Sequence, residues 1–462
     1  MSNIRQLRRS LGLWPAAAVV VGTVIGSGIF LVPTDMIKAM GSPGKVLAVW
    51  IFGGLLSLFG ALTYAELSAA MPGAGGEYVY LNAAYGPFWG FVYGWTQTWV
   101  AKSASIATLA TGFYTYFTDF VPALNAVFFR LDLPIGPRGG PFEIRYGQLI
   151  SIAVILLLSL INYLGVRLGG NVQVALTGLK IALIALIIVV GVWAGQGTAA
   201  NLASSLPTAE GGFTGFFAAL VAALWAYDGW NNAGMLGSEV ERPERNLPRA
   251  LIFGTSAVIV IYLLANLGYF YVLSSQEVAG SARVAADMMR KAVGPHGGSF
   301  VSVAAMISIF AAINGSILSG SRVPYAMARE GYFFRKIGGL NSRHETPGPS
   351  IILLGLWSCV LLLSGQYKEL YTLVIFPSWI LYGMSAASVI VLRRNAPAMP
   401  RPYRVWGYPI VPSIFVLVTM VLLYATLRES PRESGLGLVI IAIGWPFYRH
   451  WSRQKAVQDP SN

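Results

Sequence analysis

The chain contains twelve separate apolar runs, most of them long enough to cross a bilayer as a helix. A spanning helix needs about 20 mostly apolar residues, and only a helix or a closed barrel satisfies its own backbone in lipid. Charged residues make up 11% of the 462 residues, against roughly 25% in soluble domains. We therefore predict an all-α integral membrane protein. The cores of its spans are residues 12–34, 45–65, 87–117, 147–165, 171–194, 213–236, 249–273, 299–320, 349–364, 370–392, 408–427 and 434–448.

The basic residues between the runs predict how the chain is oriented. With a cytoplasmic N-terminus, nineteen Lys and Arg residues fall on the cytoplasmic side and eleven on the other, while Lys102 and Lys180 lie within spans. Cytoplasmic segments of membrane proteins carry an excess of Lys and Arg. We therefore expect both termini in the cytoplasm of a cell-membrane protein, and we interpret the net charge of +13 as a topology signal, not as nucleic-acid binding.

The first run is not typical of a cleaved signal peptide, because residues 10–34 are all uncharged and a signal's apolar region has only about 7–15 residues. The single cysteine, Cys359, excludes an intrachain disulfide. The three histidines are far apart in sequence, so we predict no metal site and no cofactor.

Two of the predicted spans are interrupted near their centres. The first, VVVGTVIGSGIF at Val19–Phe30, has Gly26, Ser27 and Gly28 at its middle, and the sixth contains LWAYDGWNNAG at Leu224–Gly234. Gly, Asp and Asn are poor helix formers. Interrupted spans at matching positions in two halves indicate an inverted-repeat transporter with its substrate between them.

This pattern predicts a domain organisation. Five spans would form each repeat, and the eleventh and twelfth spans would be additions. The predicted boundaries are 1–11 for an N-terminal tail, 12–195 and 213–392 for the two repeats, 408–448 for the added spans and 449–462 for a C-terminal tail.

The chemistry of the two breaks favours a zwitterion. An unwound backbone in hydrocarbon costs several kcal/mol for each unpaired group, so a polar ligand has to pair with it. The half-helix that follows Gly28 offers free N–H groups and a positive dipole end to a carboxylate. Carbonyl groups before Ile25 and near Ala226 suit an ammonium group. The glycines would permit close backbone approach and a positive φ.

Five long motifs in order resemble one family. They are VVGTVIGSGIFLVPT, ALTYAELSAAMPGAGGEYVYL, LWAYDGWNNAGMLGSEVERPERNLPRA, GSRVPYAMAREGYFF and PRPYRVWGYP. The chain resembles, from Leu13 to about Tyr448, the L-amino acid transporter branch of the amino acid–polyamine–organocation superfamily. The resemblance implies twelve spans, a five-plus-five inverted repeat, and sodium-independent amino acid transport, often by exchange.

The resemblance also implies roles for residues of the first break. Thr23, Ser27 and Gly28 match the positions that receive the substrate carboxylate, and Val24 matches a carbonyl that accepts from the ammonium group. With Ile25 and Gly26 they make up the unwound part of the predicted substrate site.

In the sixth span, Trp225, Ala226 and Asp228 match the carbonyl positions for the ammonium group. Trp225 also matches the aromatic gate that closes over the substrate from outside. Lys180 matches a lysine of the fifth span that occupies roughly the place of sodium in sodium-coupled relatives of the fold.

Several intramembrane charges leave alternatives open. Lys180 is expected to tie the first break to the fifth span, but a lysine fixed as a tether and one that carries a proton fit equally. Asp228 either caps the half-helix beginning near Gly229, which we favour, or contacts substrate. Lys102 would face water if its span borders a cytoplasmic vestibule. Glu66 and Glu239 are expected to form structural pairs with arginines.

The sequence thus predicts a transporter of small to medium neutral L-amino acids, working by alternating access and exchange. A cationic amino acid or polyamine carrier, favoured by Asp228, and a proton-coupled symporter are the alternatives. No paired intramembrane carboxylates suggest an enzyme. Animal members carry an outer-loop cysteine for a glycoprotein heavy chain, which is lacking here, so we expect a bacterial protein that functions as a monomer in the lipid bilayer.

Overall fold

A computed structural model describes residue 7 and residues 9–132, 141–194, 197–364 and 367–458. Parts of both predicted tails and residue 195, the predicted end of the first repeat, lie outside these ranges. Eight helices in the described part are long and apolar enough to cross a membrane, and Gly212–Tyr227 and Gly348–Leu363 are shorter apolar helices. The all-α membrane architecture is therefore confirmed, while the count of twelve crossings and the repeat arrangement stay predictions.

A helix or a pair of helices lies over each predicted span. The first span consists of α1 (Leu13–Val24) and α2 (Gly28–Leu31), continued by α3 (Pro33–Met40). The second is α4 (Pro43–Ala70), which is followed by the short helix α5 (Glu77–Tyr85). The third is α6 (Pro87–Thr96) and α7 (Lys102–Phe117), joined by a π-helical turn at Gln97–Ala101.

The helices that follow agree with the predicted spans to within several residues. They are α8 (Tyr146–Leu164), α9 (Val166–Trp193), the short α10 (Ala199–Leu202), α11 (Gly212–Tyr227), α12 (Asn232–Met235) and α13 (Pro243–Val272). The chain continues with α14 (Ser275–Gly280), α15 (Val284–Val293), α16 (Pro295–Gly320), α17 (Arg322–Arg329), α18 (Gly348–Ser364), α19 (Tyr367–Asn395), α20 (Ile410–Glu429) and α21 (Pro431–Gln458).

Connections between the spans add structure that the apolar pattern did not predict. An antiparallel hairpin of β1 (Val127–Leu131) and β2 (Phe142–Arg145) lies between α7 and α8. Helix α5 and the π turn were also not predicted. Helix α15 is amphipathic, with Val284, Met288 and Met289 buried.

The broken helices lie at the centre of the bundle. Helix α1 packs against α9, α13 and α16, and α11 packs against α3 and α4. On the predicted cytoplasmic side, the N–H groups of Ser10 and Leu11 donate to the carbonyl oxygen of Glu239 at 2.9 and 3.0 Å. The chain just before α1 is thereby joined to the chain just after α12, so both breaks are held in one packed unit.

Candidate functional site

The first break begins where α1 ends, at Val24. The Ile25 N–H still bonds to Val21, but Gly26 bonds to the Val24 carbonyl at 2.8 Å, and helix resumes at Gly28. A Cβ on Gly28 would lie 2.6 Å from the Cα of Ala226 in α11. Close approach of the two broken helices therefore requires this glycine.

The expectation of a positive φ is wrong at Gly26 and Gly28, because neither glycine has one. The glycine with that conformation is Gly229 in the second break, with φ of 104°. Glycine at positions 26 and 28 is required by space, since a Cβ on Gly26 would lie 2.7 Å from a Leu109 methyl group.

The second break begins after Tyr227, and α12 starts at Asn232. The Thr23 hydroxyl of α1 lies 3.1 Å from the Gly229 carbonyl oxygen and 2.6 Å from that of Val19. The expected N-cap role of Asp228 is not found, because the N-cap of α12 is Asn231. Asp228 instead accepts a 2.9 Å hydrogen bond from the Tyr382 hydroxyl of α19.

Tyr262 of α13 joins the two breaks. Its buried hydroxyl lies 2.7 Å from the carbonyl oxygen of Val24 and 2.9 Å from that of Ala226. These are two of the carbonyl groups predicted to receive an ammonium group. A hydroxyl has one proton to donate, so the two carbonyls share it, and the Val24 carbonyl accepts in addition from the Gly26 N–H. A single tyrosine in an apolar run gave no sequence signal for this role.

A small cavity of about 10 Å³ lies between the breaks, which is close to the space of one water molecule. Seven of the nine predicted substrate residues line it, whereas Ile25 and Ala226 do not, and their carbonyl oxygens accept from Lys180 and Tyr262 respectively. The cavity also includes residues that were not predicted for it, Ser105 and Leu109 of α7 and Asn232 of α12. Ser316 of α16 and Gly229 of the second break line it as well. The complete lining is Thr23, Val24, Gly26, Ser27, Gly28, Ser105, Leu109, Trp225, Asp228, Gly229, Asn232 and Ser316.

Aromatic side chains cover one end of this cavity. The Trp225 indole N–H donates to the Tyr367 hydroxyl at 2.9 Å, and that hydroxyl lies 2.8 Å from the Ser27 hydroxyl. The Trp225 ring stacks on Tyr371, with centroids 5.9 Å apart and planes at 17°. The Tyr371 hydroxyl donates to Asp35 of α3 at 3.2 Å. Both tyrosines of α19 were missed, because aromatic residues in spans are typical of cores and interfaces.

Lys180 of α9 is fully buried at the other side of the first break. Its ammonium group donates to the carbonyl oxygens of Gly22 at 2.8 Å, Ile25 at 2.6 Å and Ser308 at 2.8 Å. These three bonds use all three of its protons. The ammonium group thus joins α9, the unwound end of α1 and α16 at one point.

A second buried lysine lies beside the second break. Lys102 directly follows the π turn and is 4% exposed, so it is buried and does not face water. Its ammonium group donates to the Asn232 side-chain oxygen at 2.7 Å and lies close enough to Asp228 to interact electrostatically. Lys102 therefore contacts the cavity through Asn232, which lines it together with Asp228.

Glu77, at the start of α5, contacts the same break from the connecting segment. Its buried carboxylate accepts from Asn231 and, at 2.8 Å, from the Tyr93 hydroxyl. Burial raises the pKa of Glu77 to about 6. Glu77 lies outside the predicted spans, so its sequence position does not mark it as a charge inside the membrane.

The two structural pairs expected on the cytoplasmic side are confirmed. Glu66 accepts two hydrogen bonds from Arg393, at 2.9 and 2.6 Å, and Glu239 accepts two from Arg322, at 2.7 and 3.0 Å. The second pair is completely buried. Over the described part of the chain, no three His, Cys, Asp or Glu side chains are grouped so that they could hold a metal ion.

Comparison with known proteins gives a family match and several similar transporters. A sequence model of the amino acid permease family matches residues 11–444. The serine/threonine exchanger SteT of Bacillus subtilis (strain 168) is 33% identical over 459 residues, which cover 97% of this chain and 98% of that protein. The b(0,+)-type amino acid transporter 1 of Homo sapiens is 32% identical over 96% of this chain and 88% of its own. The Homo sapiens cystine/glutamate transporter is 30% identical over 96% of this chain and 85% of its own length.

Proposed function

We propose that this chain, which belongs to the amino acid permease family, exchanges small neutral L-amino acids without sodium. Amino acid transport follows from the family, and so does the absence of an enzymatic activity. The single observation that carries the substrate proposal is the meeting of both breaks around one small cavity, beside which the Val24 and Ala226 carbonyls share the single proton of the Tyr262 hydroxyl.

In the proposed binding mode, the carboxylate lies at Ser27 and the first turn of α2. Helix continues from Gly28 through α3 with a hydrogen bond from the Val32 N–H to the Gly28 carbonyl, so the positive dipole end supports an anion there. The substrate ammonium group would donate to the Val24 and Ala226 carbonyls beside the Tyr262 hydroxyl. Thr23 would support the carboxylate end.

The cavity lining favours a small side chain. Ser105, Asn232 and Ser316 surround the remaining space, with Leu109 as an apolar wall. A cavity of about 10 Å³ has to expand to admit any amino acid, and a short polar or apolar side chain requires the least expansion. The relative SteT is named as a serine/threonine exchanger, which agrees with such a substrate.

Lys180 supports independence from sodium. Its ammonium group already pairs with the three carbonyl oxygens that a cation at this position would use, and expelling it would leave a buried charge unpaired. The twelve-span, five-plus-five arrangement and cytoplasmic termini complete the proposal. The single cysteine, Cys359, lies in α18, so we propose a monomer without a disulfide-linked heavy chain.

Alternating access would then move α1 and α11 with their short partners against the surrounding helices. Trp225, with Tyr367 and Tyr371, would act as the outer gate, because these three side chains cover the cavity on the Asp35 side. The joined segments at Ser10–Leu11 and Glu239 would act as the inner closure. Substrate would lower the cost of the conformational change and make exchange faster than net uptake.

Proteoliposomes test this proposal directly. We expect labelled L-serine or L-alanine to enter vesicles preloaded with the same amino acid much faster than empty vesicles, at equal rates in sodium and choline buffers. Equal entry into empty and preloaded vesicles would exclude obligatory exchange. Faster entry with an inwardly directed proton gradient would favour the proton-coupled alternative.

A cationic amino acid or polyamine carrier is the second candidate, and the carboxylate of Asp228 in the cavity favours it. The adjacent ammonium group of Lys102 compensates that charge, which favours a neutral substrate. Competition experiments separate the two, since putrescine and L-arginine should not reduce L-alanine uptake by a neutral amino acid exchanger.

A further inference from the structure

A second cavity, of about 940 Å³, lies at the end of the bundle formed by the loop after α17 and the last turns of α21. Its volume is within the range of about 300–1,000 Å³ that ligand pockets occupy. None of the residues of the substrate cavity contributes to it. The two sites are therefore separate.

The floor of this cavity is aromatic. Trp451 is 6% exposed, and its ring lies 5.4 Å from Phe333, 5.2 Å from Phe334 and 5.9 Å from Phe447, between ring centroids. Phe334 and Phe447 are 53% and 39% exposed. Exposed apolar rings beside a cavity indicate that an apolar group covers them when the site is occupied.

The rim of the cavity is basic. Arg329 and Lys455 line it, as does Arg335, and among the described residues of the lining Glu330 is the one carboxylate. The Glu330 carboxylate is bound from the neighbouring α5, because it accepts from the Tyr78 hydroxyl at 2.7 Å and from the Asn82 amide at 3.1 Å. The rim thus presents an excess of positive charge above an apolar floor.

The position of the cavity along α21 matches a membrane surface. The predicted twelfth span ends at residue 448, and the aromatic residues Trp445, Tyr448 and Trp451 lie where the helix leaves it. Aromatic belts and basic residues are typical of that boundary. Arg449 and Lys455 follow on the next turns. A ligand in the cavity would therefore have its charged end at headgroup level.

We propose that this cavity binds an anionic phospholipid, with its phosphate at the basic rim and an acyl chain along Phe334, Phe447 and Trp451. The aromatic floor and the basic rim together restrict the ligand to an anionic phospholipid. A free inorganic anion would leave the aromatic floor uncovered, and a zwitterionic phospholipid would bring a cationic group to a rim that is already positive. Only a net negative headgroup carrying an acyl chain matches both.

Native mass spectrometry of the purified full chain tests the proposal. Phosphatidylglycerol should remain bound more than phosphatidylcholine at equal concentration. The double variant Arg329→Gln/Lys455→Gln should weaken phosphatidylglycerol binding by roughly 25-fold, because each basic residue near anionic lipid contributes a factor of about five. Arg453→Gln is the matched control, since Arg453 is an exposed residue of the same helix that does not line the cavity, and it should bind like the parent.

Three results would overturn the proposal. They are equal binding of both lipids, unchanged phosphatidylglycerol binding by the double variant, and displacement of the lipid by millimolar inorganic phosphate, which would assign the rim to a free anion. If the double variant does not fold, a Phe334→Ser variant tests the aromatic floor instead. It leaves the rim charges in place and should still lower phosphatidylglycerol binding.

Discussion

The ammonium group of Lys180 donates a 2.6 Å hydrogen bond to the carbonyl oxygen of Ile25, the residue at which α1 stops being helical. We expect Lys180→Ala to slow exchange at least tenfold, because the three charged hydrogen bonds that join α9, the end of α1 and α16 are lost, at about 1.5–3 kcal/mol for each bond. The measurement is labelled amino acid exchange in proteoliposomes, normalised to inserted protein. The exposed Lys38→Ala should behave like the parent, and normal exchange by inserted Lys180→Ala protein would refute the role.

The hydroxyl of Tyr262 is the next group to test. Tyr262→Phe removes the one hydroxyl donor shared by the Val24 and Ala226 carbonyls. The arrangement of the two breaks then loses about 1 kcal/mol of stabilisation. We expect the KM for exchange to rise about fivefold for such a loss while the protein remains folded. Tyr269→Phe is the control, since it removes a hydroxyl two turns further along the same helix. An unchanged KM in Tyr262→Phe would show that the substrate does not use these carbonyls.

Close approach of the two broken helices depends on Gly28. In Gly28→Ala the new Cβ would lie 2.6 Å from both the Cα and the Cβ of Ala226, so the backbones have to separate. We expect exchange to be abolished and the melting temperature to fall. Gly178→Ala adds the same methyl group in α9 where no atom lies within 4 Å, and it should retain full exchange. Equal activity of the two variants would contradict the proposed contact between the breaks.

The sequence predicted those features that are encoded locally. Long apolar runs predict helices, and the poor helix formers at Gly26–Gly28 and Asp228–Asn232 predict breaks, because each pattern lies within one segment. All nine proposed substrate residues lie in the two interrupted stretches Val19–Phe30 and Leu224–Gly234, and seven of them line one cavity. Lys180 could be singled out because a charge inside an apolar run is costly.

The remaining parts of the site depend on contacts between distant segments. Tyr262 is 36 residues from Ala226 and 238 from Val24, and one tyrosine in an apolar run does not indicate which carbonyls it meets. The burial of Lys102 depends on such contacts too, because its surroundings in the third span are set by how α7 packs against α16. Close approach at Gly26 and Gly28 agrees with the expectation, but the positive φ expected there is not found, since the local backbone conformation depends on how the neighbouring helices pack.

Substitution of Asp228 tests whether its carboxylate has a structural role or takes part directly in transport. Asp228→Asn keeps an oxygen that can accept from the Tyr382 hydroxyl, so we expect exchange of neutral amino acids to stay within about fivefold of the parent, the value of one weakened hydrogen bond. The measurement is exchange of labelled L-alanine, with L-arginine as competitor. Complete loss of exchange, or L-arginine competition present in the parent and absent in the variant, would assign the carboxylate to substrate or to a proton.

Protonation of Glu77 is expected to make the second break sensitive to the pH on the predicted cytoplasmic side. Burial raises its pKa to about 6, so the carboxyl group is mostly protonated below pH 6 and mostly ionised above it. The ionised form accepts from both Asn231 and Tyr93, whereas protonation removes acceptor capacity and the charge that faces Lys102. We therefore expect exchange to fall as the internal pH is lowered from 7 through about 6.

The variant Glu77→Gln tests this pH dependence, because its amide keeps the shape of the side chain and does not titrate. We expect a reduced rate that no longer changes through this pH range. The other titratable side chains around the Glu77 carboxyl group are Lys102, Tyr64, Tyr80, Tyr93 and Tyr382. Tyrosine hydroxyls ordinarily titrate near 10, so they stay neutral in this range. A pH profile of Glu77→Gln that parallels the parent's would assign the pH dependence to another group.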